Sequence, residues 1–118
     1  MTQGKLNATI RKPKPAISVI DLQGEVTGQV ENVLMDAFSE ASNGGTKTVM
    51  LNFKELEYMN SSGIGLLVTL LVRTGRQKQS LVAYGLDEHY QEIFKLTRLD
   101  EAITIYRDEA DALAANLN

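Results

Sequence analysis

Apolar and polar residues alternate along Leu6-Asn7-Ala8-Thr9-Ile10, the period-two pattern of a half-buried strand. Pro13 and Pro15 predict the end of that strand, because proline cannot donate to a sheet ladder. Ala16 to Leu22 is rich in β-branched residues and predicts a second strand, with a turn at Gln23-Gly24. From Thr27, a predicted N-cap, the period lengthens. Val30, Val33, Leu34, Ala37, Phe38 and Ala41 recur at helical spacing until Asn43-Gly44-Gly45 closes the helix. Thr48 to Phe53 is a largely apolar run of strand length, as suits a strand covered on both faces.

Lys54 to Met59 predicts a loop leading into Asn60-Ser61-Ser62-Gly63, and a long helix then runs to about Lys78. Leu81 to Tyr84 predicts a fourth strand, Glu88 to Leu96 a helix, and Ile103 to Tyr106 a fifth strand. Asp108 to Leu117 predicts a terminal helix capped by Asp108. The order is β-β-α-β-α-β-α-β-α. Strand–helix alternation after an opening strand pair predicts an α/β fold: one mixed, mostly parallel sheet of about five strands with about four helices. The length of 118 residues suits one domain spanning 1–118.

Composition narrows the chemistry. Cysteine is absent, which excludes disulfide frameworks, thiol catalysis and thiolate metal sites, and suits a reducing, cytoplasmic setting. Met1 to Pro15 carries Lys5, Arg11, Lys12 and Lys14 without an apolar run, so no secretory signal is expected. The longest apolar stretch, Ile64 to Val72, is broken by Gly65 and Thr69 and falls far short of the ~18 residues of a membrane span. The net charge of −3 gives no general attraction to nucleic acid. Nothing in the sequence calls for a cofactor or a metal.

Candidate chemistry gathers at Met59-Asn60-Ser61-Ser62-Gly63-Ile64-Gly65, where strand and loop feed a helix N-terminus. Free N–H groups and the positive end of the helix dipole point there. Asn60, Ser61 or Ser62 can cap the helix, and Gly63 and Gly65 keep the first turn free of bulk. A serine at this place suits a switch, since phosphorylation adds about −1.5 to −2 charges that a helix N-terminus tolerates. The plainer alternative is an ordinary cap and tight turn. Along the same helix Ile64, Leu67, Val68 and Leu71 predict the core-facing stripe. Leu66 and Leu70 are then predicted to point away, with Arg73 further along, as a docking face. The alternative there is a helix buried more broadly than usual.

The element order and the segment Asn60-Ser61-Ser62-Gly63-Ile64-Gly65 together resemble the STAS domain of bacterial anti-sigma factor antagonists. In that family Asp-Ser-(Ser/Thr)-Gly-(Leu/Ile)-Gly follows an apolar strand, and Leu22-Gln23-Gly24-Glu25-Val26 resembles a second family segment, Leu-x-Gly-Glu-Leu. The resemblance implies a protein that docks on a serine kinase doubling as an anti-sigma factor, is phosphorylated by it, and is reset by a phosphatase. It implies Ser62 as phosphoacceptor, with Ser61 the adjacent alternative. Gly24, Glu25 and Thr27 would line the neighbouring loop of a docking surface that also takes in Asn60, Ser61, Ser62, Gly63, Leu66, Leu70 and Arg73. Two positions depart from the pattern. Asn60 stands where the family usually has an acid, and Thr27 where an aspartate is common; a neutral Asn60 can cap but carries no charge.

Other classes fit less well. His89 is the only histidine, and Asp87, Glu88 and Glu92 around it read as a solvated acidic face rather than an acid–base pair. No Gly-x-Ser-x-Gly elbow is present. Ser62-Gly63-Ile64-Gly65 lacks the third glycine of a dinucleotide loop and the lysine of a P-loop. The expectation is therefore a non-enzymatic binding protein, monomeric when free, with neither nucleic acid nor membrane among its partners. The alternative is a STAS-type scaffold or transport-accessory module, with weak nucleotide binding open to it, that docks partners without being phosphorylated.

Overall fold

The computed structural model describes residues 5–117; residues 1–4 and 118, over which the expectations of a leaderless start and of a domain spanning 1–118 also extend, lie outside the described residues. Strand β1 (Leu6–Lys14) pairs antiparallel with β2 (Ile17–Val26). Pro13 does not end β1, contrary to the sequence pattern. It lies where the register shifts between Arg11 and Lys14, on an edge strand, where a missing N–H costs no ladder bond.

The predicted turn at Gln23-Gly24 is likewise strand. Gly24 has φ +115°, and the pairing register shifts on either side of it. A side chain there would overlap the carbonyl oxygen of Lys5. Glycine therefore marks a bulge that lets β2 run on to Val26.

A 3-10 turn at Gly28–Val30 leads into α1 (Glu31–Ala41), and Thr27 caps that turn by accepting the N–H of Gln29 on Oγ1 at 3.3 Å. Next comes β3 (Thr48–Met59), twelve residues long. Its second half, Lys54 to Met59, differs from the loop that the sequence pattern predicts. It is strand because Glu55, Leu56, Tyr58 and Met59 pair with Gln23, Gly24, Glu25 and Val26 of the β2 extension. Lys54, Glu55, Glu57 and Tyr58 are exposed, so the polar composition reports a solvated ribbon rather than an unpaired backbone.

The chain continues through α2 (Ser61–Arg76), β4 (Ser80–Tyr84), α3 (Glu88–Leu96), β5 (Thr104–Tyr106) and α4 (Glu109–Ala115). Strand order is β1-β2-β3-β4-β5, and every pairing after the first is parallel. Among the described residues, five strands and four α-helices thus form the predicted α/β arrangement.

The central strands alternate between two cores. Ile20, Leu22, Val49, Leu51, Phe53, Leu81 and Ala83 pack with Leu34 and Phe38 of α1, Leu66, Leu67 and Leu70 of α2, and Tyr90 and Phe94 of α3. Ile17, Val19, Met50, Val82 and Tyr84 face the other way, onto Ala112 of α4. Each fully buried Leu, Val or Phe contributes on the order of 1.5–3 kcal/mol, so three helices hold one face firmly while the short α4 covers less of the other. Among the described residues no helix is long and apolar enough to cross a membrane.

Candidate functional site: an uncovered serine pair at the start of α2

The site is built where β2 and β3 end side by side. Val26 pairs with Met59, and the Asn60 N–H donates to the Val26 carbonyl at 3.3 Å. Asn60 then turns the strand into α2. Its backbone is extended (φ −105°, ψ −177°), and its Oδ1 accepts the Gly63 N–H at 2.9 Å. Its carbonyl accepts the Ile64 N–H at 3.0 Å. Of the three capping candidates, Asn60 does the capping. Ser61 and Ser62 are both exposed.

Gly63 is buried and seats the helix start on β2, because a side chain there would overlap the Val26 carbonyl oxygen. The amides of Ser61 and Ser62 precede the first internal helix bond, so they and the helix dipole favour negative charge at this spot. Gly24 and Thr27 are buried and Glu25 is half-buried, so of these three only Glu25 has a side chain reaching solvent.

A neighbour that sequence reasoning missed is Tyr90. Its hydroxyl accepts the Met59 N–H at 2.9 Å inside the core, tying α3 to the last residue before the cap. The signal was faint: an aromatic on the apolar stripe of α3 whose hydroxyl, once buried, requires a partner. Gly28 is the other missed neighbour; it is exposed and faces Ser62.

The expectation that Leu66 and Leu70 point outward is corrected. Both are buried, Leu66 at 8% exposure and Leu70 at 0%, and Val68, expected inward, is 43% exposed. The core stripe is Gly63, Leu66, Leu67, Leu70 and Thr74. Thr74 obscured it: it reads as polar, yet its hydroxyl donates to the Leu71 carbonyl at 2.8 Å and is carried inward. The outward face of α2 is instead Ser61, Gly65, Val68 and Val72. Arg73 is half-buried and joins two helices; its Nη2 donates to Ser39 Oγ at 3.0 Å and its guanidinium lies 4.8 Å from the Phe38 ring centroid.

His89 is exposed and meets the Tyr90 ring edge-on with centroids 4.8 Å apart. Among the described residues no three His, Cys, Asp or Glu side chains are placed to hold a metal ion.

The other face of the sheet carries a polar cluster that sequence reasoning did not single out. Asp21, Asn52 and Tyr84 lie in register across β2, β3 and β4. Arg11 donates to Asp21 at 2.6 and 2.9 Å and to Glu109 at 2.9 and 3.2 Å, and the Tyr84 hydroxyl donates to Glu109 at 2.8 Å. The Arg11 hydrogen bonds hold both carboxyls below the usual carboxylate range, against the opposing effect of partial burial. Burial, then the bond to Glu109, pushes the Tyr84 phenol up. The cluster fastens α4 to β1 and is separated from the serines by the sheet.

These features define a small α/β module: one sheet, helices on both faces, and a solvent-facing serine pair on a pre-capped helix start. The STAS domain family matches the chain over residues 8–112, and the chain belongs to that family. It is similar in fold to an anti-sigma factor antagonist from Mycobacterium paratuberculosis, with a TM-score of 0.82 at 18% identity over 97% of this chain and 96% of that one. The Bacillus cell fate determinant SpoIIAA in its phosphorylated form gives a TM-score of 0.66 at 19% identity, over 92% of this chain and 98% of that one. A sulfate transporter family protein from Wolinella succinogenes gives 0.76 at 13% identity, over 89% and 88%.

Proposed function

We propose that this chain is a cytosolic, non-catalytic anti-sigma factor antagonist. Through the outer surface around the start of α2 it docks on a kinase-type anti-sigma factor, is released when that kinase phosphorylates Ser62, and is reset by a serine phosphatase. The observation that carries the reading is the division of labour at the helix start. Asn60 Oδ1 does the capping, and the Ser62 side chain stands in solvent.

Phosphate at Ser62 meets a helix N-terminus that favours its charge, so the fold survives the modification. A partner lying flat on Ser61, Ser62, Gly65, Val68 and Val72 meets two added charges and loses its fit. Glu25 and Gly28 extend the surface on the β2 side; buried Gly24, Thr27, Gly63 and the cap Asn60 shape its backbone; Arg73 borders it. Ser61 is the alternative acceptor at the same surface. The solved phosphorylated SpoIIAA supports the reading, as a protein of the same fold that carries phosphate.

A second reading has its own support in the fold shared with a sulfate transporter family protein: a transport-accessory module that docks without being phosphorylated. Affinity capture from native cells separates the two. An anti-sigma kinase retained by the unmodified chain and lost from Ser62→Glu supports the first; a transporter subunit as chief partner, held equally by both, contradicts it.

A further inference from the structure

We infer that Gly28 is the access-determining residue for Ser62: by lacking a side chain it keeps open the flank of the hydroxyl through which a phosphoryl donor or a docking partner reaches it. This rests on the Ser62 reading and names the residue that regulates it. Gly28 opens the 3-10 turn after β2, directly beside the first turn of α2. It is exposed, and its φ lies outside the left-handed region, so neither core packing nor backbone conformation demands glycine there. What glycine supplies is space. A Cβ at position 28 would sit 3.3 Å from Ser62 Cβ and 3.7 Å from Ser62 Oγ. Alanine would already press on the serine, and any longer side chain would stand over the oxygen.

The flanking residues do not share this role. Thr27 is buried and spends its hydroxyl on capping, and Val30 is buried in the core. Helix geometry separates the two serines as well. Successive residues turn by about 100°, so Ser61 heads the outward row of Gly65, Val68 and Val72, while Ser62 leans towards the Gly28 turn. A side chain at position 28 therefore shields Ser62 and leaves Ser61 open.

Because the chain has no cysteine, Ser62→Cys and Ser61→Cys each carry a single thiol that reports access directly. The test measures iodoacetamide alkylation of each, alone and combined with Gly28→Leu or Gly28→Ala. A pH–rate profile separates access from any change in thiol pKa at the helix start. The expected result is several-fold slower thiolate alkylation of Ser62→Cys with Gly28→Leu, a smaller slowing with Gly28→Ala, and no change for Ser61→Cys. Equal rates at position 62 across the series overturn the inference, as does equal slowing at both positions, which signals general distortion. Should Gly28→Leu fail to fold, Gly28→Ala alone decides by the same comparison. The thiol rates involve no kinase, so absence of phosphorylation in the unmodified chain would refute the proposed function without touching this result.

Discussion

The Tyr90 hydroxyl accepts the backbone N–H of Met59 at 2.9 Å, and this bond joins α3 to the corner from which the serine pair projects. Tyr90 is 7% exposed, so the Met59 N–H has no ready substitute in water. Tyr90→Phe should cost about 1–3 kcal/mol, the penalty for a buried donor left unpaired, measured by urea denaturation. Amide exchange should quicken at Met59 and Asn60 before it does in the centre of β3. Unchanged stability would show that the corner is held by Val26 and Gly63 alone.

The inward turn of Leu66 reverses what a charge placed there should do. Leu66→Arg buries an unpaired cation and should destabilise the chain by about 3 kcal/mol or more. Val68→Arg, on the exposed face, should change stability by no more than about 0.5 kcal/mol while weakening partner capture. The pair of thermal melts checks the helix orientation, and the pair of binding assays checks which face docks.

Ser62→Glu should leave the melting transition nearly in place, within about 0.5 kcal/mol, because a helix N-terminus accommodates a carboxylate. Its affinity for an anti-sigma kinase should fall at least about tenfold, or 1.4 kcal/mol, by titration calorimetry. A variant that unfolds would identify Ser62 as a structural residue.

The Arg11 cluster predicts an acid-sensitive α4. Asp21 and Glu109 have folded-state pKa values below those of the unfolded chain, both first because of hydrogen bonds from Arg11. In the window between folded and unfolded values the unfolded chain binds more protons, so stability rises with pH. The contribution is complete above the ordinary carboxylate range of about 4 and is lost as pH falls through the depressed values. Melting curves from neutral to acid should show Arg11→Met losing this part of the dependence. The difference should shrink in high salt, since these side chains are partly exposed.

Much of this was legible from local pattern. The helix spanning Glu88 to Leu96, the Asp108 cap, and the strand Thr48 to Phe53 follow from periodicity and cap chemistry, which act over a few residues. The misjudged parts depend on partners distant in sequence. Lys54 to Met59 becomes strand only because β2 continues past Gly24 to pair with it, and Leu66 turns inward onto a core whose other members include residues of β2, β3 and α1. At the site, the motif named the serines, but only coordinates could show that Asn60 takes the capping role. Nothing in the sequence spacing announced that Gly28, Tyr90 or the Arg11 cluster would meet residues tens of positions away.

The central claim is that the Ser62 hydroxyl accepts phosphate. The direct measurement is peptide mapping by mass spectrometry after incubating the chain with ATP and the kinase-type anti-sigma factors of its own host. The account predicts one phosphate, on Ser62, absent from Ser62→Ala. No phosphate at all, or phosphate confined to residues away from the start of α2, would contradict it.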